Sequence, residues 1–416
     1  MSPMSPNRIL VVNAGSSTVK LSVLDPHDTV VCASTIECAD LIPEGAVSGF
    51  LRGAGPVDAV GHRVVHGGAE FTGPTRLDPE VFARIAGLAS LAPLHQSRAL
   101  AGIDAVRQAL PGVPAVACFD TAFHRTLPAE ASTYALPEVW RTTWGLRRYG
   151  FHGLSHAYAA RRACELAGFD PASARVVSCH LGAGASLAAV RAGESVDTTM
   201  GFTPAEGLVM ATRAGDVDPG LILWLQRQGV TVDELEEALE HGAGLVALAG
   251  HGGDMRAIRA AADAGDRHAR SARRVYAYRL RTKIASMAAA MGGLDVLAFT
   301  GGVGEHDDAI RADAVRELAF LGVRLDPRVN AEARGDADVS ADESPVRTLV
   351  VTAREDIEIA RETRALVAAK QRRTVGATVS DGPLARATRP YGGPPHRRDA
   401  DDAGTLRPRS TKGRTP

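Results

Sequence analysis

Residues 175–190 read RVVSCHLGAGASLAAV: an apolar run, a glycine-rich turn at HLGAGAS (His180–Ser186), and a second apolar run that ends in the turn RAGES. Valine-rich runs of this length bounded by turn residues predict the two strands of a hairpin. Residues 9–25 repeat the design, with ILVV, the polar turn NAGSST and the alternating VKLSVLD. Two similar hairpins about 165 residues apart predict a duplicated α/β domain with a ligand cleft between the halves.

The segments around these hairpins read as mixed α/β. FARIAGLASLAPLH (82–95) and ALAGIDAVRQALPG (99–112) predict helices, and PAVACFDTAF (114–123) predicts a strand running into a loop. HAYAARRACELAG predicts a helix closed by Gly168, and residues 267–291 carry apolar positions at helical spacing up to Gly292-Gly293. LDVLAFTGGVGEHDDAIRADAVREL reads as strand, glycine turn and helix, which points the N–H groups of a helix start at an anion. It is a third candidate phosphate or nucleoside loop.

A chain of 416 residues that is 45% hydrophobic can bury large cores, and its net charge of −1 supplies no global field for nucleic acid or an anionic membrane. No stretch approaches the length of a membrane span, and the N-terminal apolar run is too short for a signal peptide. Five cysteines without CxxC spacing predict reduced thiols and a cytoplasmic protein. Only four of the 47 basic residues are lysine, and only three asparagines occur, at Asn7, Asn13 and Asn330. From residue 371 to 416 apolar periodicity disappears, which predicts a disordered basic tail.

Phosphoryl transfer needs cations around the transferred group, a metal bridging phosphates, and loops that admit a phosphate to bare backbone. In NAGSSTVK, Gly15 permits a tight turn, Ser16 and Thr18 offer hydroxyls, and Lys20 projects from the return strand; an ordinary polar hairpin is the alternative. GHRVVHGG places Arg63 and His66 beside two glycines, where an arginine suits a carboxylate or phosphate. CFDTAFH ends a strand at Asp120, and ATRAGDVDP sets Arg213 in a loop of small residues. YGFHGLSH offers His152 and His156 at i,i+4, but no glutamate follows His152 and Gly153 weakens a helix there, which argues against zinc. No Walker A, GxSxG or protein-kinase motif set occurs.

In order, NAGSSTVK, AVGHRVVHGG, LAPLH, FDTAFH, RRYGFHGLSH, CHLGAGAS, TTMGFTPAEGLVMATRAGDVDP, FTGGVGE and EDIEIARET closely resemble the acetate kinase family, from Asn13 to about Arg364. The resemblance implies two duplicated actin-like (ribonuclease H-like) α/β domains facing across a nucleotide cleft: residues 7–125 with about 357–370, and residues 126–356. It implies reversible in-line transfer of the γ-phosphoryl of ATP to a short-chain carboxylate, giving acetyl phosphate and ADP from acetate. By motif, Arg63 would bind the carboxylate, Asp120 would be the catalytic acidic residue, and His152 and Arg213 would stabilise the phosphoryl charge. Val65, Leu94, Phe151 and Pro204 would form the methyl pocket, with His95 beside the substrate. Asn13 and Glu355 would hold Mg²⁺, or Mn²⁺ in its place, while Lys20, Ser16 and Thr18 would reach phosphates. His180, Leu181, Gly182, Ala183 and Gly184, then Asp254, Met255 and Arg256, then Gly302, Val303, Gly304, Glu305 and His306, would line the nucleotide. The family pattern also implies a homodimer.

Five family asparagines are replaced, by Gln96, Ala99, Ala183, His306 and Arg354. Losing one charge-assisted hydrogen bond costs roughly 1.5–3 kcal/mol, which weakens a site without abolishing it. Ser97, Arg98 and Leu154 also differ from the family near His95 and His152, which leaves open another short acid, propionate or butyrate, as substrate. A catalytically weak nucleotide-binding protein acting through partners is the reading from a different class.

Overall fold

The hairpin predicted at HLGAGAS forms, and its sheet repeats the topology of the one built on NAGSST. The structure is a computed structural model that describes residues 7–15, 18–37, 45–250 and 252–379, without the side chains of Ser90, residues 93–95 and 370–379. In the first half, β1 (Ile9–Ala14), β2 (Thr18–Leu24), β3 (Val30–Glu37), β4 (Ala59–Val64), β5 (Thr75–Arg76) and β6 (Ala115–Phe119) form one sheet in the order β3-β2-β1-β4-β6-β5. In the second, β7 (Arg175–Leu181), β8 (Ala185–Arg191), β9 (Glu194–Thr198), β10 (Val296–Thr300), β11 (Ala337–Asp338) and β12 (Arg347–Val350) run β9-β8-β7-β10-β12-β11. In each sheet the hairpin pairs antiparallel, and its first strand pairs parallel with the strand that follows a crossover. The shared strand order makes the duplication explicit where residue identities do not.

The central strands are apolar on both faces because both faces are covered. Between the sheets lies a core to which β1, β4 and β6 contribute Val11, Ala59 and Cys118, and β7, β8 and β10 contribute Val176, Ala188 and Ala298. Two helices complete that core. Gly153–Ala167 buries Leu154, Ala159 and Ala163, and the last helix, Glu355–Val379, buries Ile359 and Ala360. A side chain at Gly61 on β4 would collide with Thr363 and Ile359 of the last helix, so glycine there lets strand and helix approach closely.

Gly168 ends the helix Gly153–Ala167 in a left-handed conformation, as read from the sequence. The helix Arg267–Ala290 also follows its apolar spacing. The single helix predicted over 82–95 is instead broken. Asp78 caps Pro79–Gly87 by accepting from the Val81 N–H at 2.8 Å, a 3-10 turn spans Ala89–Leu91, and Pro93 starts a new helix, Pro93–Ala109. Proline lacks the N–H needed to continue a helix but fits its first turn, which is where both prolines stand. The tail boundary predicted at 371 falls inside the last helix, which continues to Val379; residues 380–416 lie outside the described part.

Candidate active site

The ends of parallel strands β4 and β6 present Arg63 and Asp120 side by side, the position where open α/β sheets bind ligands. Arg63 Nη2 and Nε donate to Asp120 Oδ2 and Oδ1 at 2.7 and 3.1 Å, and Nη1 donates to Asn13 Oδ1 at 3.1 Å. Asn13 stands near the end of β1, paired across the hairpin with Lys20, and its Nδ2 donates to Glu355 Oε2 at 2.7 Å. Glu355 opens the last helix, with its carboxylate 3.8 Å from Arg63 Nη1. Residues more than 300 positions apart in the chain thus share one polar cluster.

Burial of Arg63 opposes its charge, but Asp120 and Glu355 outweigh that and hold it protonated. Burial lifts the Asp120 carboxyl above the ordinary aspartate value against the pull of Arg63. Glu355 moves the other way: burial is outweighed by Arg63 and His180, and its carboxylate is held below the usual glutamate value.

This cluster opens into a cavity of about 630 Å³ lined by both hairpins and the TGG turn, with Gly15, Thr18, Lys20, Arg63, His180, Gly301, Gly302, Glu305, Arg354 and Glu355 on its wall. On the second hairpin, His180 stacks on His152 with ring centroids 4.3 Å apart, and its Nδ1 meets Ser155 Oγ at 2.8 Å. His152 adopts a left-handed conformation at the start of the helix Gly153–Ala167. Gly153 must follow it, because a side chain there would strike the Asp120 carbonyl, which accepts the Gly153 N–H at 3.0 Å. A β-carbon at Gly184 would lie 3.4 Å from both His152 Nε2 and Arg213 Nη2, so the glycine loop separates these two groups by little more than a methyl. Arg213 Nη1 donates to the Pro204 carbonyl at 2.8 Å, and the Ala183 carbonyl accepts from the Ala211 N–H at 3.0 Å, tying the loop to the arginine segment.

His152 is held from behind. Its Nδ1 meets Ser186 Oγ at 2.9 Å, Ser186 Oγ meets His156 Nε2 at 2.8 Å, and His156 Nδ1 meets Ser178 Oγ at 2.9 Å. Burial first, then neighbouring positive groups, pushes His152 well below the ordinary histidine value, so its ring is neutral at physiological pH. Both nitrogens of His156 are engaged by serines, which leaves them no place in a metal site.

Among the other predicted residues, Val65 and Phe151 pack together with Ala92 in the core, and Leu181 is buried with them. Ser16 lies outside the described residues, as do the side chains of Leu94 and His95. Asp254, Met255 and Arg256 stand outside the cavity lining: Met255 is buried in the core, and Arg256 is exposed and paired with Asp254 at 3.0 Å. His306 is exposed outside that lining, Val303 is half-buried beside the core, and Gly304 turns its carbonyl to Arg311 at 2.8 Å. Glu305 lines the cavity while accepting from the Gly301 and Ala353 N–H groups at 3.1 and 3.0 Å.

Sequence reasoning assigned no role to Ser186, Ser155 or Ser178, although Ser186 closes the HLGAGAS stretch, on β8 just after the turn. Arg354, noted only as a replaced asparagine, is one of the residues lining the cavity, and its Nε donates to Asp356 Oδ1 at 2.9 Å. Gln96 and Ala99 prove to be packing positions. Gln96 is fully buried and donates to the His66 and Ile85 carbonyls at 3.1 and 3.3 Å, and Ala99 sits in the core of the first half.

The Acetokinase family pattern matches residues 43–361, most of the chain. The chain belongs to the acetokinase family. It is 45% identical over 394 residues to the acetate kinase of Leifsonia xyli subsp. xyli, covering 87% of this chain and 99% of that one. The crystal structure of Porphyromonas gingivalis acetate kinase superposes with a TM-score of 0.79 at 36% identity, covering 87% of this chain and 100% of that one. A propionate kinase from Francisella tularensis superposes with a TM-score of 0.80 at 32% identity, covering 86% and 99%. The acetokinase assignment agrees with the duplicated α/β domain expected from the two hairpins and with the actin-like fold that the family resemblance implied. Among the described residues no helix is long and apolar enough to cross a membrane.

Proposed function

We propose that this protein transfers the γ-phosphoryl group of ATP to acetate, forming acetyl phosphate and ADP, and also catalyses the reverse reaction. The observation that carries the reading is the Arg63 clamp between Asp120, Asn13 and Glu355 beside a cleft lined by Gly15 and Lys20 of the first hairpin and His180 of the second. A guanidinium has five donors, and three are engaged by Asp120 and Asn13, which leaves N–H groups for a carboxylate. A carboxylate oxygen held there attacks the γ-phosphorus, the bond from that phosphorus to the bridging oxygen breaks, and ADP leaves with the bond electrons. Arg213 and His152 flank Gly184 where the transferred group carries its charge. If His156 donates to Ser186 and Ser186 donates to His152 Nδ1, the His152 proton is on Nε2, and a phosphoryl oxygen selects that arrangement because it can only accept. Val65 and Phe151 with Pro204 would close around the methyl group.

Mg²⁺ fits the oxygen donors of Glu355 and Asn13, because this ion is commonly held by one or two protein oxygens with substrate phosphates and water completing its shell. The low-lying Glu355 carboxylate on the cavity wall suits that role, and among the described residues no cluster of three ligands competes as a closed metal cage. Bound there, the ion would neutralise charge on the phosphates. We further propose a homodimer. Leu221, Leu223 and Trp224 are exposed on the one helix Pro219–Arg227, an apolar surface that a second copy would cover.

Trapping acyl phosphate as its hydroxamate from acetate and MgATP tests the reading. Product well above an Arg63→Ala control is expected; none above that control refutes it. Faster turnover of propionate or butyrate than of acetate would instead favour the longer acid.

A further inference from the structure

A second cavity lies on the opposite face of strand β4. Successive strand side chains point to opposite faces, so Arg63 faces the cleft while Val60, His62 and Val64 face the helix Pro93–Ala109. Val60 packs with Val106 in one apolar cluster, and Val64 packs with Ile103 in another. Between the clusters is a cavity of about 430 Å³, within the size range of small-molecule sites. Its walls are mainly apolar, from Leu77, Pro79, Phe82, Ile103, Val106 and Val113.

The floor carries His62, 2% exposed, with no hydrogen-bond partner among the described residues. Burial drops its pKa to about 3, so the ring stays neutral and offers one donor and one acceptor nitrogen. A buried imidazole without a partner is costly unless something enters to satisfy it. The mouth carries Arg76, exposed and without an ion pair among the described residues. The other charges there are engaged: Asp78 caps its helix, and Arg107 pairs with Asp104 at 2.9 Å while lying 5.5 Å from the Phe82 ring centre.

We propose that this cavity is a ligand site, separate from the acyl-transfer cleft, for a small aromatic carboxylate whose neutral hydroxyl meets His62 and whose carboxylate meets Arg76. The apolar walls take the ring. A neutral floor favours an uncharged hydrogen-bonding group over a buried carboxylate, and the cation at the mouth favours the anionic end outward.

The test uses the full chain and 4-hydroxybenzoate as probe, with saturating acetate present to occupy the cleft's carboxylate site. Saturation-transfer NMR titration should give saturable binding that acetate does not displace. His62→Leu should weaken 4-hydroxybenzoate about tenfold, the scale of one hydrogen bond, while leaving benzoate affinity unchanged. Val113→Phe, on the half-buried wall, should abolish binding of both acids and serves if His62→Leu fails to fold. No saturable binding at millimolar probe, displacement by acetate, or equal affinity in wild type and both variants overturns the proposal.

Discussion

Replacing Gly184 by alanine should inactivate the protein without unfolding it. The added β-carbon would lie 3.4 Å from His152 Nε2, 3.4 Å from His152 Cε1 and 3.4 Å from Arg213 Nη2, which is van der Waals contact rather than a clash. Gly184 is not among the glycines with positive φ, so alanine is allowed there, and the Gly182 N–H bond to the Gly184 carbonyl at 2.9 Å is kept. Stability should therefore change by no more than about 1 kcal/mol, with a slight gain from lower unfolded-chain entropy. The methyl nevertheless fills the gap where His152 and Arg213 converge. A phosphoryl oxygen kept from both loses two charge-assisted hydrogen bonds of roughly 1.5–3 kcal/mol each, about 3–6 kcal/mol together. That corresponds to a fall in turnover of two to four orders of magnitude, about tenfold per 1.4 kcal/mol. The assay is hydroxamate formation beside a thermal melt. Wild-type turnover with an unchanged melting temperature would refute the placement of the transferred group at Gly184.

Ser186→Ala leaves His152 Nδ1 and His156 Nε2 without their shared partner, so stability should fall by about 1–3 kcal/mol and turnover roughly tenfold, read by urea unfolding and the same assay. Glu362 is half-buried, and desolvation of its carboxyl raises its pKa to about 7 from 4.5, with Glu358 adding to the shift. Its folded state thus holds a proton that the unfolded state releases first, a contribution present below about pH 4.5 and lost as pH rises through 7; Glu362→Gln should remove that decline in melting temperature. His124, buried and lowered to about 4, acts oppositely: its contribution is present above pH 6.5 and is lost as pH falls toward 4, so the His124→Gln protein should lose less stability between pH 7 and 5 than wild type. Ala183→Asn restores an amide on an exposed loop position, and nucleotide affinity should change by up to about tenfold, measured by titration with ATP.

The two halves differ in how much of them could be read from the chain. Both hairpins announce themselves through local rules: apolar runs, a turn of small residues, and return to alternation. Asn13, Lys20, His180 and Gly184 sit on those hairpins, and the first three line the cavity. The Asp254–Arg256 segment carried no local signal beyond motif order; Met255 is buried in the core and Arg256 pairs with Asp254. The serine and histidine chain behind His152 was invisible because its members lie on the helix Gly153–Ala167 and the strands β7 and β8, and no periodicity reports contact between separate elements.

The sequence by itself determined what each short segment does: where strands turn, which helix Gly168 closes, and that asparagine is scarce enough for Asn13 to stand out. These outcomes depend on backbone sterics and capping within a few residues. Tertiary structure alone decided that the lost asparagines at 96 and 99 became packing positions while the one at 354 became a cavity cation, and that Glu355 reaches Asn13 across the chain. The reason is that burial and partner distance depend on how two sheets close on their shared helices, and that closure joins residues whose separation along the chain carries no record of it.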